Sequence, residues 1–171
     1  MASKTTTRQA KPGNKVPAFR APATGGQTIA LKDLKGSNVV LYFYPKDNTP
    51  GCTTEGQDFR DAWQKFRRQN TVVLGVSRDS LASHEKFKAR HGFPFDLLSD
   101  EDETLCRMFD VIKLKNMYGR KVRGIERSTF LIDGDGRLVR EWRKVKVPGH
   151  VEEVLEAVKA LNRERKARQA S

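Results

Sequence analysis

A thiol, a hydroxyl and a proline at fixed spacing are the chemical centre of this sequence. They stand in Pro45-Lys46-Asp47-Asn48-Thr49-Pro50-Gly51-Cys52. Behind them, Val39-Val40-Leu41-Tyr42-Phe43-Tyr44 is an apolar run that reads as a buried central strand. Ahead, Thr53 to Arg68 has no proline and carries Phe59, Trp63 and Phe66 at helical spacing. Cys52 is therefore predicted in the first turn of a helix that leaves the end of a strand. Unpaired backbone N–H groups and the helix dipole favour negative charge at such a point. A thiol there ionises more readily, and the thiolate is the nucleophile. The bland alternative is a small buried hydrophobe. Against it, Cys52 follows a Pro-Gly turn, lies where α/β folds place their chemistry, and has Thr49 and Thr53 as hydroxyl neighbours.

The elements that must position this cysteine are legible on either side. Val16 to Phe19 begins the ordered part, Ala23 to Ala30 with Gly25-Gly26 reads as a turn or small hairpin, and Thr71 to Ser77 is a second buried strand. Ser80 is placed to cap a helix reaching about His91. Asp96-Leu97-Leu98 is short and extended; the acidic run Asp100 to Glu103 reads as the first turn of a helix with Leu105, Met108 and Phe109 inward. Ser128 to Asp133 and Leu138 to Trp142 flank Gly134-Asp135-Gly136 as a hairpin, and Val151 to Leu161 is a closing amphipathic helix. This order predicts an α/β fold, a mixed central sheet with helices on both faces.

At 171 residues the chain suits one domain with its own core. Two cysteines, Cys52 and Cys106, are too few for a disulfide scaffold. No apolar run approaches the roughly 18 residues of a membrane span. The N-terminal residues lack the apolar segment of a secretory signal; basic and acid-free, they resemble an organelle transit peptide only weakly, since Pro12-Gly13 interrupts them. A cytoplasmic protein is expected, with a loose basic arm at residues 1–12, a domain at 13–162 and a loose basic tail at 163–171. Of the net charge of +12, residues 1–15 carry +4 and residues 163–171 carry +3. Such ends attract polyanions weakly and without sequence preference. A nucleic-acid-associated protein is thus the alternative reading, although no recognition motif accompanies the charge.

Pro45, Thr49 and Cys52 fit the PxxxTxxC signature of the peroxiredoxins, and YFYPKDNTPGCTTEG resembles their PrxQ subfamily, also called bacterioferritin comigratory protein. LLSDEDETLCRMFDV and RSTFLIDGDG extend the likeness over roughly residues 13 to 162. The resemblance implies a thioredoxin-like fold and a thiol-dependent peroxidase acting on hydrogen peroxide and organic hydroperoxides through a sulfenic acid. It makes Cys52 the peroxidatic nucleophile, Thr49 the hydrogen-bonding partner of the peroxide, Pro45 the shield of the thiolate and Arg127 the active-site arginine. Glu55 and Lys46 match family choices in support. Neither metal nor flavin is implied. Asp133-Gly134-Asp135-Gly136 lacks the later ligands of a calcium loop, and His84, His91 and His150 are scattered.

The departures from the family concern the second half of the cycle. Many PrxQ proteins carry a resolving cysteine five residues after the peroxidatic one, where this chain has Gln57; others carry it near the position of Lys88. That leaves Cys106, which borders the apolar stripe of its own helix and reads as a half-buried structural residue. Bonding to Cys52 would require sulfurs about 2 Å apart and Cα atoms within about 7 Å. A one-cysteine cycle in a monomer is expected, with thioredoxin, a glutaredoxin or glutathione as reductant. A thiol–disulfide oxidoreductase is the weaker enzymatic rival, because no Cys-x-x-Cys is present.

Overall fold

The computed structural model describes residues 8–170. Nine strands and four α-helices follow in the order β1 (Arg20–Ala23), β2 (Gln27–Ala30), β3 (Asn38–Phe43), α1 (Pro50–Arg68), β4 (Thr71–Ser77), α2 (Leu81–His91), β5 (Asp96–Ser99), α3 (Thr104–Met108), β6 (Ile112–Met117), β7 (Arg120–Ile125), β8 (Ser128–Ile132), β9 (Leu138–Trp142) and α4 (His150–Ala170). Seven strands form one sheet in the order β2-β1-β5-β4-β3-β8-β9. Its centre, β3, β4 and β5, is parallel, and antiparallel pairs close both sides.

Every residue of β3 is buried, because helices or loops cover both faces, as a parallel centre requires. Alternation along the strand divides its side chains. Val40, Tyr42 and Tyr44 join Phe59 and Phe66 of α1, Phe87 of α2 and Val154 and Val158 of α4 in one apolar cluster. Val39, Leu41 and Phe43 join Leu105, Met108 and Phe109 in the other. The expected mixed sheet with helices on both faces is what forms.

Three expectations are corrected. The closing helix does not stop at Leu161; residues 163–170, expected as a loose tail, continue α4. They contain no glycine or proline and are rich in good helix formers, and Arg165 reaches Asp135. At the other end, the arm's residues 1–7 lie outside the described residues, but Gln9 and Ala10 bond to the Arg107 and Met108 carbonyls and Ala10 is buried. Lastly, Asp100 to Glu103 precedes α3 instead of forming its first turn. The Asp100 carboxylate accepts from the Leu105 and Cys106 N–H groups at 2.9 and 2.8 Å, which satisfies that helix start from outside. The β6–β7 hairpin was missed although Ile112-Lys113-Leu114-Lys115 alternates and Gly119 marks a turn; its strands are short, lysine- and arginine-rich and pair only with each other.

Candidate active site

The thiol is placed by a strand end and a helix start. After β3, Asn48 takes a left-handed φ of 64°, turning the chain so that Thr49 is the N-cap and Pro50 opens α1. Proline suits that position because its missing N–H has no helical partner there. Cys52 sits in the first turn and is 1% exposed. Its sulfur therefore lies inside the fold.

Arg127, from the link between β7 and β8, meets it there. One guanidinium nitrogen donates to Cys52 Sγ at 3.4 Å and another to Glu55 Oε1 at 2.7 Å. The fork thus spans a sulfur and a carboxylate one helical turn apart, a geometry that lysine lacks. Gly51 makes room for it: a Cβ at that residue would lie 3.1 Å from Arg127 Nη2. Glu55 is fully buried, and burial raises its carboxyl to about 7 while Arg127 pulls it back. Tyr42 is fully buried nearby, and burial pushes its phenol well up.

Thr49 lies one turn ahead of the cysteine. Its hydroxyl donates to the Lys46 carbonyl at 2.8 Å, which leaves its oxygen lone pairs to accept from a ligand. Pro45 is half-buried where β3 ends, and Lys46 is exposed. The fold thus brings Cys52, Arg127 and Glu55 into contact and holds Thr49 in the adjoining turn.

It does not bring Cys106 to them. Cys106 packs in the cluster on the α3 face of the sheet and Cys52 in the cluster on the α1 face; both are free. The expectation of a half-buried Cys106 is corrected to full burial, because it packs with Leu105 and Met108 in the apolar cluster under β3. Burial, and then the nearby charge of Asp100, pushes its thiol well up. Lys88 holds Asp96 at 2.8 Å, tying α2 to β5.

Asp47 and His84 are the site residues that sequence reasoning missed. The Asp47 carboxylate accepts from Tyr44 Oη at 2.6 Å and Ser83 Oγ at 2.8 Å, and lies 2.7 Å from His84 Nδ1. His84 Nε2 lies 2.9 Å from the Leu98 carbonyl, which can only accept. Both ring nitrogens are thus engaged, by the Asp47 carboxylate and the Leu98 carbonyl. The Asp47 N–H donates to Asp79 at 3.0 Å. This buried knot fastens the loop that carries Thr49 to α2 and β5. Asp47, Asp79 and His84 are metal-ligand types within 4.8 Å of one another, but these hydrogen bonds already occupy their atoms. Position in the motif was the one available signal for Asp47, since nothing in the sequence pairs it with His84. Asp47→Ala is expected to lower stability by about 1–3 kcal/mol for each buried group left without its partner, Tyr44 Oη and His84 Nδ1; urea unfolding would measure it.

Fold and site together define a thioredoxin-like enzyme with a buried thiol held by a guanidinium. Residues 12–141 match the AhpC/TSA family. Peroxiredoxin Bcp of Bacillus subtilis is 52% identical over 150 residues, covering 88% of this chain and 96% of that protein. Peroxiredoxin Bcp of Xanthomonas campestris is 57% identical over 137 residues, covering 80% and 86%. Among solved structures, Xylella fastidiosa PrxQ, crystallised as a cysteine-to-serine mutant, superimposes with a TM-score of 0.84 at 49% identity, covering 89% of this chain and 97% of that one. The X. campestris bacterioferritin comigratory protein, described for its alkyl peroxide reduction activity, superimposes with a TM-score of 0.81 at 53% identity, covering 84% and 92%. The chain belongs to the AhpC/TSA family, in its Bcp/PrxQ branch of peroxiredoxins, and is a thiol-dependent peroxidase. The nucleic-acid alternative finds no support among these relatives.

Proposed function

We propose that Cys52 is the peroxidatic residue and that hydrogen peroxide and organic hydroperoxides are its substrates. The observation that carries this reading is the Arg127 fork on Cys52 Sγ and Glu55. Cys52 thiolate attacks one peroxide oxygen. The S–O bond forms as the O–O bond breaks, and the electron pair leaves on the second oxygen as hydroxide or alkoxide, which takes a proton. Arg127 supports the thiolate and then the charge on the departing oxygen. Thr49 accepts from the peroxide O–H, and Pro45 closes the loop against water. The products are Cys52 sulfenic acid and water or an alcohol.

An external thiol then attacks the sulfenic sulfur, releasing water and forming a mixed disulfide that a second thiol resolves. Thioredoxin, a glutaredoxin or glutathione can fill this role, with the enzyme acting as a cytoplasmic monomer. Since Cys52 is buried, the first turn of α1 must open for that step. Intact mass after one equivalent of peroxide, with and without a sulfenic-acid trap, tests the cycle. A trapped sulfenic acid with no loss of two hydrogens supports it; a rapid Cys52–Cys106 disulfide would replace it with a two-cysteine cycle. Cys106→Ser is expected to leave turnover with external thiol unchanged while costing about 1–3 kcal/mol of stability, because it buries a hydroxyl; paired kinetic and unfolding assays would check both.

A further inference from the structure

The β6–β7 hairpin is a surface feature that the catalytic cycle does not use. Residues 112–125 contain Lys113, Lys115, Arg120, Lys121 and Arg123 and no carboxylate; Lys113 pairs with Asp110 and Arg123 with Glu103 at the base, and Arg120 and Lys121 stand next to the tip. Five large apolar side chains are exposed among the described residues, and four lie here: Leu114 at 68%, Met117 at 50%, Tyr118 at 101% and Val122 at 42%. Tyr118 and Gly119 form the two-residue tip, with φ of 53° and 78°. That geometry favours Asn-Gly. A tyrosine there meets a backbone cost and contributes nothing to the core. Its ring projects wholly into solvent.

Ion pairs at the hairpin base fix its direction. Arg123 pairs with Glu103, which also holds Arg78. Arg78 follows β4 and Glu103 follows β5, so the hairpin stands at the carboxyl edge of the parallel strands. The loop to Cys52 leaves β3 at the same edge, and Arg127 lies two residues beyond β7. The basic end of α4 is held elsewhere, by Asn162 bonds to Asn38 and Gln69 at the start of β3.

We propose that this hairpin docks the enzyme onto an anionic phospholipid surface, with the Tyr118 tip in the interface and Arg120 and Lys121, beside the tip, against headgroups. On the reading of Cys52 as peroxidatic, its end of the molecule then faces the membrane, where amphiphilic hydroperoxides reside. Charge complementarity selects this occupant: each cation near an anionic leaflet strengthens partition about fivefold. Leu114 shares one face with Lys121, and Met117 shares the other with Arg120. Apolar and basic groups therefore surround the tip, unlike the apolar centre and polar rim of a protein interface. A single aromatic is a poor platform for stacking nucleic-acid bases, whereas tyrosine suits a boundary between apolar and wet surroundings. No helix among the described residues is long and apolar enough to cross a membrane, so the attachment is superficial.

Vesicle flotation tests the docking, using phosphatidylcholine alone or mixed with phosphatidylglycerol. The full-length enzyme is expected to float with the mixed vesicles alone, less so at high salt. Leu114→Thr/Met117→Thr/Tyr118→Asn should weaken flotation at least about tenfold with hydrogen peroxide turnover unchanged. Tyr118→Asn alone, which suits the turn better than tyrosine, should weaken it severalfold without loss of folding. Arg163→Gln/Lys166→Gln should float as wild type does. Equal flotation of the triple variant, or loss through the α4 substitutions alone, would overturn the proposal. So would a hairpin-dependent dimer in sedimentation, or hairpin-dependent binding of single-stranded DNA with no vesicle binding. Because binding and turnover are read separately, a failed peroxidase reading leaves the docking result interpretable.

Discussion

Cys52→Ser is expected to abolish peroxide consumption, lowering the rate by at least about four orders of magnitude. A serine hydroxyl does not ionise near neutral pH, and the Arg127 fork cannot change that, so no nucleophile remains at the start of α1. Cys106 cannot substitute. It is fully buried on the opposite face of the sheet, and its thiol is pushed well up by burial. Loss of hydrogen peroxide would be followed directly, with the unfolding transition of the variant measured in parallel. Serine fits the cysteine volume, so folding should survive. Turnover close to wild type would remove the central assignment.

Arg127→Ala should slow peroxide attack by about 10²–10³-fold, or about 2.7–4 kcal/mol, the usual effect of removing one donor from a site of developing charge. Two effects act together. Cys52 Sγ loses its 3.4 Å donor, and Glu55 loses the partner that opposes its burial. Glu55 should then stay protonated across neutral pH, shifted further upward by desolvation. Arg127→Lys should fall between the two, keeping the charge but not the fork that spans both groups. Stopped-flow rate constants for the reduced enzyme would separate attack from recycling. An unchanged constant in the alanine variant would refute Arg127's assignment.

Much of the site was legible before any fold was known. The apolar run before the loop, the Pro-Gly pair and the helical spacing of Phe59 and Phe66 place Cys52 at a helix start by local rules alone. Turn chemistry and periodicity depend on neighbours in sequence, so the central strands, the turns at Gly25-Gly26 and Gly134-Asp135-Gly136 and the Ser80 cap could be read directly, while the Tyr118-Gly119 hairpin was missed. Ser80 does accept from the Ser83 N–H. The long PxxxTxxC context then carried the family, and with it Arg127, whose side chain would otherwise read as surface charge.

Tertiary structure decided what depends on contacts between distant segments. Arg127 lies 75 residues from Cys52 and His84 lies 37 from Asp47, and no periodicity encodes either pairing. The division of the two cysteines between opposite sheet faces is equally invisible along the chain. It follows from which side of β3 each helix covers. Sequence alone determined that a thiol begins a helix after a buried strand. Only the folded sheet decided that a guanidinium and a buried carboxylate would close over one thiol and leave the other sealed behind it.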